Sequence, residues 1–355
     1  MNDMSTMSKP AETSATCAPA RQKDCAPARP RQLTNRLYRG DCLALLRAHI
    51  PPGAIDLVYC DPPFGSGANY PRTHKRAPPV FCDRWHWDAA AARNHAVWRR
   101  EADALDKRDL TQLVDAWFGR GARAGLLARD GRAAWLAMLG PRALALWRAL
   151  KPGGSLFWHG EPKSSHYVRW LLDATFGAQN FRNEIVWHYT GGGRSKTRFS
   201  QKHDVILWYS KGAGWHFDID AMRVPYKPGS GYARAGITAR SGKTYRPHAR
   251  GTPLDDVWDI PMLNPLAAER LGYPTQKPLA LLRRLIAAAS QKGDMVLDPF
   301  CGSGTSLAAA QELGRRWIGM DAAGAAIACA RARLSRCKET PARVEGPVGL
   351  EPTTR

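Results

Sequence analysis

Residues 295–305 read MVLDPFCGSGT. The apolar run Met295-Val296-Leu297 has the residue types of a buried strand, and it stops at an acid, Asp298. Pro299, Phe300 and then Gly302-Ser303-Gly304 follow, and the next residues, Ser306 to Leu313, have helical spacing with Gly314 as the cap. A strand therefore delivers Asp298 to a carboxyl edge, and the glycines permit a tight turn into a helix. Small residues there let a ligand approach the backbone closely, at the place where open α/β sheets bind ligands. A further strand, Arg316 to Met320, leads to a second acid, Asp321, placed to accept hydrogen bonds from ribose hydroxyls. The dinucleotide pattern G-x-G-x-x-G is absent, since Thr305-Ser306-Leu307 follow Gly304, and no Lys follows the glycines as in a phosphate-binding loop. A nucleoside ligand without a pyrophosphate fits the pattern. The plainer alternative is a glycine-rich structural turn.

A second strand end resembles the first. Residues 56–67 read DLVYCDPPFGSG. The strand Ile55 to Cys60 ends at Asp61, and Pro62 and Pro63 fix two φ angles and remove two N–H donors. Their carbonyls remain, so with the Asp61 carboxylate this edge is an array of acceptors. Such an edge suits an amino group, and Phe64 offers a flat face for a planar ring. An exocyclic amine on a nucleobase supplies both. The alternative is a strand-ending turn with a buried Phe64.

Working outward, the chain of 355 residues alternates helix and strand, which predicts an α/β fold with a mostly parallel, doubly wound sheet. Leu37 to Asp41 reads as a strand ending in an acid, Cys42 to His49 as a helix, Trp135 to Leu150 as a helix and Ser155 to His159 as a strand. His166 to Phe176 reads as a helix, Glu184 to Tyr189 and Asp204 to Tyr209 as strands, and Ala325 to Leu334 as a helix. Residues 65–110 show no clear period and read as a long functional loop. Residues 1–32 read as a disordered tail and 338–355 as a flexible one. Between them lie 33–210, the half carrying DPPF with an insert at about 65–133, then 211–260, and 261–337, the half carrying DPFCGSGT.

The net charge is +21, from 52 Lys+Arg against 31 Asp+Glu. A field of this sign attracts polyanions, nucleic acid first, although an arginine-rich proteome is another origin for it. The eight cysteines form no C-x-x-C pair, so no zinc site is expected, and no metal is required. No run is apolar and long enough to span a bilayer, and a reducing, cytoplasmic compartment is expected. In the basic stretch 190–256, cations such as Arg194, Lys196, Arg198 and Lys202 are followed by Tyr226, Tyr232 and Tyr245 among further Arg and Lys.

In this order the motifs resemble the amino-methylating DNA methyltransferases that use S-adenosylmethionine. DPPF comes first and DPFCGSGT last, as in the beta-type, permuted members of the DNA methylase N4/N6 family. FCDRWHWD at 81–88, LKPGGSLFWH at 150–159, FRNEIVW at 181–187, KHDVILWYSKG at 202–212, VWDI at 257–260 and YPTQKP at 273–278 lie between them. The resemblance runs from about Asn35 to Leu334. It implies a Rossmann-like methyltransferase fold, with Asp61, Pro62, Pro63 and Phe64 holding a target base flipped out of the duplex. It implies that Asp298, Pro299, Phe300, Gly302, Ser303, Gly304 and Thr305 line the S-adenosyl-L-methionine site, with Asp321 at the ribose. Asp41 would reach the adenine end of that cofactor, and Thr275, Gln276, Lys277 and Pro278 the methionine end. His159 is read either as a pocket residue or as a satisfied core histidine. The basic segment 211–256 is read as the part that recognises double-stranded DNA. An initial Asp in the DPPF motif leans towards the N6 amine of adenine. N4 of cytosine, an RNA target and a catalytically silent DNA-binding regulator remain alternatives. A homodimer, a partner restriction endonuclease and association with the nucleoid belong to the same expectation.

Overall fold

The computed structural model describes residues 34–67, 69–71, 79–119, 125–127, 130–191, 193–336 and 343–345. The expected N-terminal tail and most of the expected C-terminal tail lie outside these residues. The centre is a nine-stranded sheet. Its strands in chain order are β1 (Arg36–Arg39), β2 (Ile55–Cys60), β3 (Leu150–Gly160), β4 (Phe181–His188), β5 (His203–Ser210), β6 (Val257–Asp259), β7 (Met295–Asp298), β8 (Arg316–Asp321) and β9 (Arg343–Glu345). Across the sheet they run β6-β4-β5-β3-β2-β7-β8-β1-β9. Every pair is parallel except those of β5, which runs antiparallel to both β3 and β4.

Side chains alternate along each strand, and both sets are buried. In β2, Leu57 and Tyr59 belong to the same hydrophobic cluster as Leu281, Leu285, Leu307 and Ile327. Val58 and Cys60 point the other way and are equally buried. Both faces are therefore covered by helices, as a parallel sheet requires. One group is α1 (Cys42–His49), α4 (Gly131–Ala149) and α5 (Ser165–Phe176), which pack in succession. The other is α6 (Leu279–Ala289), α7 (Thr305–Glu312) and α8 (Gly324–Leu334).

The connections diverge between β2 and β7. From β2 the chain passes through α4 to β3 on one side, and from β7 through α7 to β8 on the other. The crevice opens where two neighbouring strands send their crossovers in opposite directions. Asp61 and Asp298 stand at the carboxyl ends of those two strands.

The expected loop over 65–110 carries a long helix among its described residues. This is α2 (Ala89–Ala104), with α3 (Arg108–Phe118) following. Asp88 accepts a hydrogen bond from Ala91 N (2.8 Å) and caps α2, and α3 buries Leu110, Val114, Trp117 and Phe118 at helical spacing. In α2 only Ala91, Trp98 and Ala102 are buried, so the rest of an Ala- and Arg-rich helix gives little apolar period. Trp98 is wholly buried against α4, where Gly140 makes room for it. Helix α4 starts at Gly131, capped by Asp130, and is buried nearly all round because it lies between the sheet and this added layer. Strand β3 begins at Leu150 instead of Ser155, absorbing Lys151–Gly154 through an irregular register against β2.

Two further departures concern the ends of segments. Val257–Asp259, at the end of the basic 211–260 stretch, joins the sheet edge beside β4. Arg343–Glu345, within the expected flexible tail, pairs with β1. The rest of 211–256 forms two small antiparallel ribbons and the short helix Gly231–Ala235. Among the described residues no helix is long and apolar enough to cross a membrane.

A Cβ at Gly140 would lie 2.2 Å from Trp98 Cδ2. Gly140→Ala is therefore expected to destabilise the protein by roughly 1–3 kcal/mol through overpacking, read from the midpoint of urea unfolding. An unchanged midpoint would mean that α2 does not pack on α4 through Trp98.

Candidate active site

Asp61 and Asp298 reach one cavity of about 460 Å³ from adjacent strands. The glycine turn forms its floor. Asp298 Oδ1 accepts the Phe300 N–H (3.0 Å), and Oδ2 accepts the Ser306 hydroxyl. Asp321 Oδ2 accepts the Gly302 N–H (2.9 Å) and Oδ1 the Ala323 N–H (2.8 Å), so the acid of β8 shapes the turn after β7. Gly304 takes φ +73°, and a Cβ there would sit 2.8 Å from the Ala330 Cβ of α8. That glycine lets α7 and α8 meet closely.

Four carboxylates line this cavity, Asp41, Asp61, Asp298 and Asp321, against two cations, Arg142 and Lys277. Both cations are already paired. Arg142, nearly buried in α4, binds Asp41 Oδ2, while Asp41 Oδ1 caps α1 at Leu43 N and Ala44 N. Lys277 Nζ lies 2.5 Å from Asp61 Oδ2. Among the described residues Asp298 and Asp321 pair with no cation. Burial pushes Asp298 up to about 7, an effect that its two hydrogen bonds oppose and the charges of Asp61 and Asp321 reinforce. Burial also raises Asp321, against the two backbone N–H groups it holds.

Beyond Lys277 lies a smaller cavity of about 280 Å³. Phe64, Trp187, Tyr189 and Asp204 line it, with Tyr273, Thr275, Gln276 and Lys277 shared between the two. Phe64 stacks on His159, with ring centroids 5.8 Å apart, and Lys277 Nζ lies 5.3 Å from the Phe64 centroid. His159 is wholly buried and lines neither cavity. Its Nδ1 lies 2.9 Å from Tyr59 Oη and its Nε2 3.1 Å from Asp204 Oδ2. One neutral tautomer satisfies both, with Nε2–H donating to Asp204 and Nδ1 accepting from Tyr59. Tyr59 keeps its proton because burial raises it well above the phenol range. Burial pushes Asp204 up as well, but His159, Lys277 and the Tyr189 hydroxyl together hold it below the usual carboxylate range. His159 is thus a satisfied core histidine that supports Phe64 from beneath.

A model of the DNA methylase family matches residues 55–330. The chain belongs to that family. It is 28% identical over 299 residues to DNA adenine methyltransferase YhdJ of Escherichia coli (strain K12), covering 84% of this chain and 81% of that protein. It is 34% identical over 189 residues to Type II methyltransferase M.HpaI of Haemophilus parainfluenzae, about half of each chain (53% and 55%). Among solved structures, the PvuII DNA methyltransferase (cytosine-N4-specific) superposes with a TM-score of 0.52 at 17% identity, over 84% of this chain and 86% of that one. This last likeness shows the fold, a Rossmann-like α/β sheet. As a DNA methylase, the chain has DNA as its substrate class.

The structure places most of the residues expected from the sequence around the methylase's larger cavity. Asp41, Asp61, Pro63, Thr275, Gln276, Lys277, Asp298, Pro299, Phe300, Gly302, Ser303, Thr305 and Asp321 all line it. Pro62, which is buried, lines neither cavity, Gly304 faces α8, and Phe64 lies on the other side of Lys277. Gln276 reaches the cavity, but its amide is spent on the loop itself. Oε1 accepts Leu271 N (2.9 Å) and Nε2 donates to Glu269 O (2.7 Å). Thr275 holds φ +62°, a strained value for a β-branched residue, beside the cavity.

One expectation needs correction. The Pro63 carbonyl is not an open acceptor, because Trp135 Nε1 of α4 donates to it at 2.7 Å. Of the two proline carbonyls only that of Pro62 has no donor among the described residues. Two positioning residues escaped the sequence reading. Trp135 is one, and Asp83 is the other. The Asp83 carboxylate accepts Gly65 N (3.0 Å), Ser66 N (2.8 Å), Ser66 Oγ (2.6 Å) and Trp85 Nε1 (2.9 Å). It is 1% exposed and holds the glycine turn after DPPF. Its place in FCDRWHWD carries no local signal of that role.

Asp83→Ala removes a buried acceptor that four partly exposed donors share. We expect a loss of roughly 3 kcal/mol in unfolding free energy, read by urea titration, with Asp83→Asn intermediate. Equal stability of Asp83→Ala and the native protein would show that the turn holds without it.

Proposed function

We propose that this protein is a site-specific DNA methyltransferase that transfers a methyl group from S-adenosylmethionine to the exocyclic N6 amine of adenine in duplex DNA. The observation that carries the reading is the junction at Asp61 and Lys277. There a cavity suited to a cationic nucleoside meets an aromatic cavity suited to a base, with an acceptor array between them.

The larger cavity fits S-adenosylmethionine by its chemistry. Each Asp321 oxygen spends one lone pair on the backbone and keeps another for a ribose hydroxyl. The excess of carboxylates over cations suits a ligand with net positive charge. Asp298 and the Gly302–Ser303 turn would hold the nucleoside, Asp41 and Arg142 would shape the far end, and Thr275 to Lys277 would face the amino-acid end. When bound, the cofactor supplies an electrophilic methyl group on a sulfonium.

The chain's own residues do the rest. Phe64, Trp187 and Tyr189 give a base turned out of the helix aromatic surfaces to lie against, in place of its lost neighbours. Lys277 takes Asp61 Oδ2 and leaves Oδ1 towards the amine. Hydrogen bonds from the amine to Asp61 Oδ1 and the Pro62 carbonyl draw its two hydrogens out of the ring plane. The nitrogen lone pair then no longer delocalises into the ring and is free to attack, and the proton that the methylated nitrogen sheds passes to Asp61 Oδ1 or to water. Positioning and fixed electrostatics supply most of the acceleration.

Adenine is favoured over cytosine by Asp61 at the head of DPPF and by the name of the relative that covers most of the chain, an adenine methyltransferase. Phosphate contacts from 211–256 would seat the duplex. A homodimer, a partner restriction endonuclease and association with the nucleoid belong to this reading by resemblance alone.

Unmodified genomic DNA incubated with the protein and S-adenosylmethionine is expected to yield N6-methyladenine by nucleoside mass spectrometry. Asp61→Ala should lower the yield by about 10²–10³-fold. N4-methylcytosine in its place would keep the mechanism and change the base, whereas no methylated base would sink the proposal.

Binding should also depend on pH through Asp298. A cationic ligand favours its ionised form, so binding expels the proton held at about pH 7. Affinity for S-adenosylmethionine, measured by titration calorimetry, should fall as pH drops from 8 to 6, roughly threefold to tenfold. Asp298→Asn should bind more weakly and without that slope. For the free protein the sign is opposite: the raised value adds stability below the ordinary carboxylate range, and that stability is lost as pH rises through about 7. A flat profile in the native protein would remove Asp298 from the ligand's surroundings.

A further inference from the structure

The β4–β5 connection, residues 189–202, leaves β4 at the same sheet edge that carries Asp61. Tyr189 and Asp204, at its two ends, line the smaller cavity, and Tyr189 N donates to Lys202 O (3.0 Å), which closes the loop at its base. The loop therefore rises from the rim of the cavity assigned above to the base.

Phe199 on this loop is fully exposed, with a relative exposure of 101%. Isolated apolar residues on surfaces are ordinary, so exposure alone decides nothing. Three further observations separate this one. The loop is ordered by its own bonds: Ser200 Oγ accepts Ser195 N (2.9 Å), Ser195 Oγ accepts Thr197 N and Arg198 N (3.3 Å each), and Lys202 Nζ donates to the Gly191 and Gly193 carbonyls. These bonds hold the chain around Phe199 while the ring itself stays in water. Arg194, Lys196 and Arg198 stand on the same loop and are exposed, so the ring is presented amid positive charge. Finally, the ring is aromatic, and every base has a face on which it stacks.

We propose that Phe199 inserts into the duplex as the target base leaves it, filling the gap in the stack while the flanking cations bind the phosphates on either side. Extruding a base breaks two stacking contacts and one pair. An aromatic side chain placed in the vacancy restores stacking with both neighbours and blocks the base's return. Phe199 is a positioning residue in this scheme, since it touches the neighbours of the target and not the reacting nitrogen. Leu266, 92% exposed, lies in the segment between Met262 and Arg270, which line this cavity, but does not line it itself. It lacks a flat face.

The inference rests on the methyltransferase reading, and one experiment separates the two. The methylated sequence is first mapped in the DNA modified by the native protein. Single-turnover methyl transfer is then measured on a duplex carrying that sequence, and on the same duplex with an abasic site opposite the target base. Phe199→Ala should slow transfer to the paired duplex by roughly tenfold or more. It should approach the native rate on the duplex whose target is already unpaired. Phe199→Trp should restore the paired rate, and Leu266→Ala should leave both rates unchanged. Calorimetric binding of S-adenosylmethionine should be the same in all three variants, which also checks folding. An equal deficit on both duplexes, no deficit on either, or a deficit that appears in Leu266→Ala in its stead would each overturn the role of Phe199. If the native protein methylates no DNA, the methyltransferase reading falls and the wedge falls with it.

Discussion

Lys277 Nζ lies 2.5 Å from Asp61 Oδ2, and this contact joins parts of the chain 216 residues apart. It ties the turn after β2 to the loop before α6, so that the DPPF and YPTQKP segments form one wall. That wall separates the two cavities and decides which carboxylate oxygen stays open. A lysine in this position has an ammonium where an incoming amine would bring its own N–H groups. The site holds a donor on one oxygen and presents the other, and this arrangement gives a four-residue turn a direction.

The surrounding charges follow from the sheet. Parallel strands end at one edge, and three of the four cavity carboxylates belong to strand ends, at Asp61, Asp298 and Asp321. Concentrating carboxylates in a partly buried crevice is unfavourable unless something compensates. Backbone N–H groups of the turns compensate Asp321, the Phe300 N–H and Ser306 hydroxyl compensate Asp298, and Lys277 compensates Asp61. The compensation is incomplete at Asp298, whose value rises to about 7. A positively charged ligand completes it. The overall charge of +21 thus contrasts with a locally acidic crevice, and the two signs suit two ligands, a polyanion outside and a cationic nucleoside within.

The added helical layer has a supporting role. Helices α2 and α3 cover α4 and α5, and α4 in turn sends Trp135 to the Pro63 carbonyl and Arg142 to Asp41. Both cavity walls are therefore fixed by one helix whose own burial depends on the insert. Asp83, just before that layer, holds the turn after DPPF by its four hydrogen bonds. A conformationally free Gly-Ser-Gly segment becomes a defined edge of the site in this way.

The sequence by itself determined the strand ends, because their signals are local. An apolar run, an acid, and then Pro-Pro or Gly-Ser-Gly lie within about ten residues, so β2, β7 and β8 and the acids at their ends were legible, as were α1 and α7. Helix α2 was not, since three buried residues among sixteen leave no apolar stripe to read. Only the tertiary structure decided which strand ends meet. The adjacency of β2 and β7, the pairing of Lys277 with Asp61, the capture of the Pro63 carbonyl by Trp135 and the Tyr59–His159–Asp204 chain each join residues far apart in sequence. Such contacts depend on how helices stack on a twisted sheet, and no single segment encodes that. A residue's type shows what it offers, an acceptor, a cation or a flat ring, while packing settles whether that offer is spent within the fold, as at Gln276, or kept for a ligand, as at Asp61.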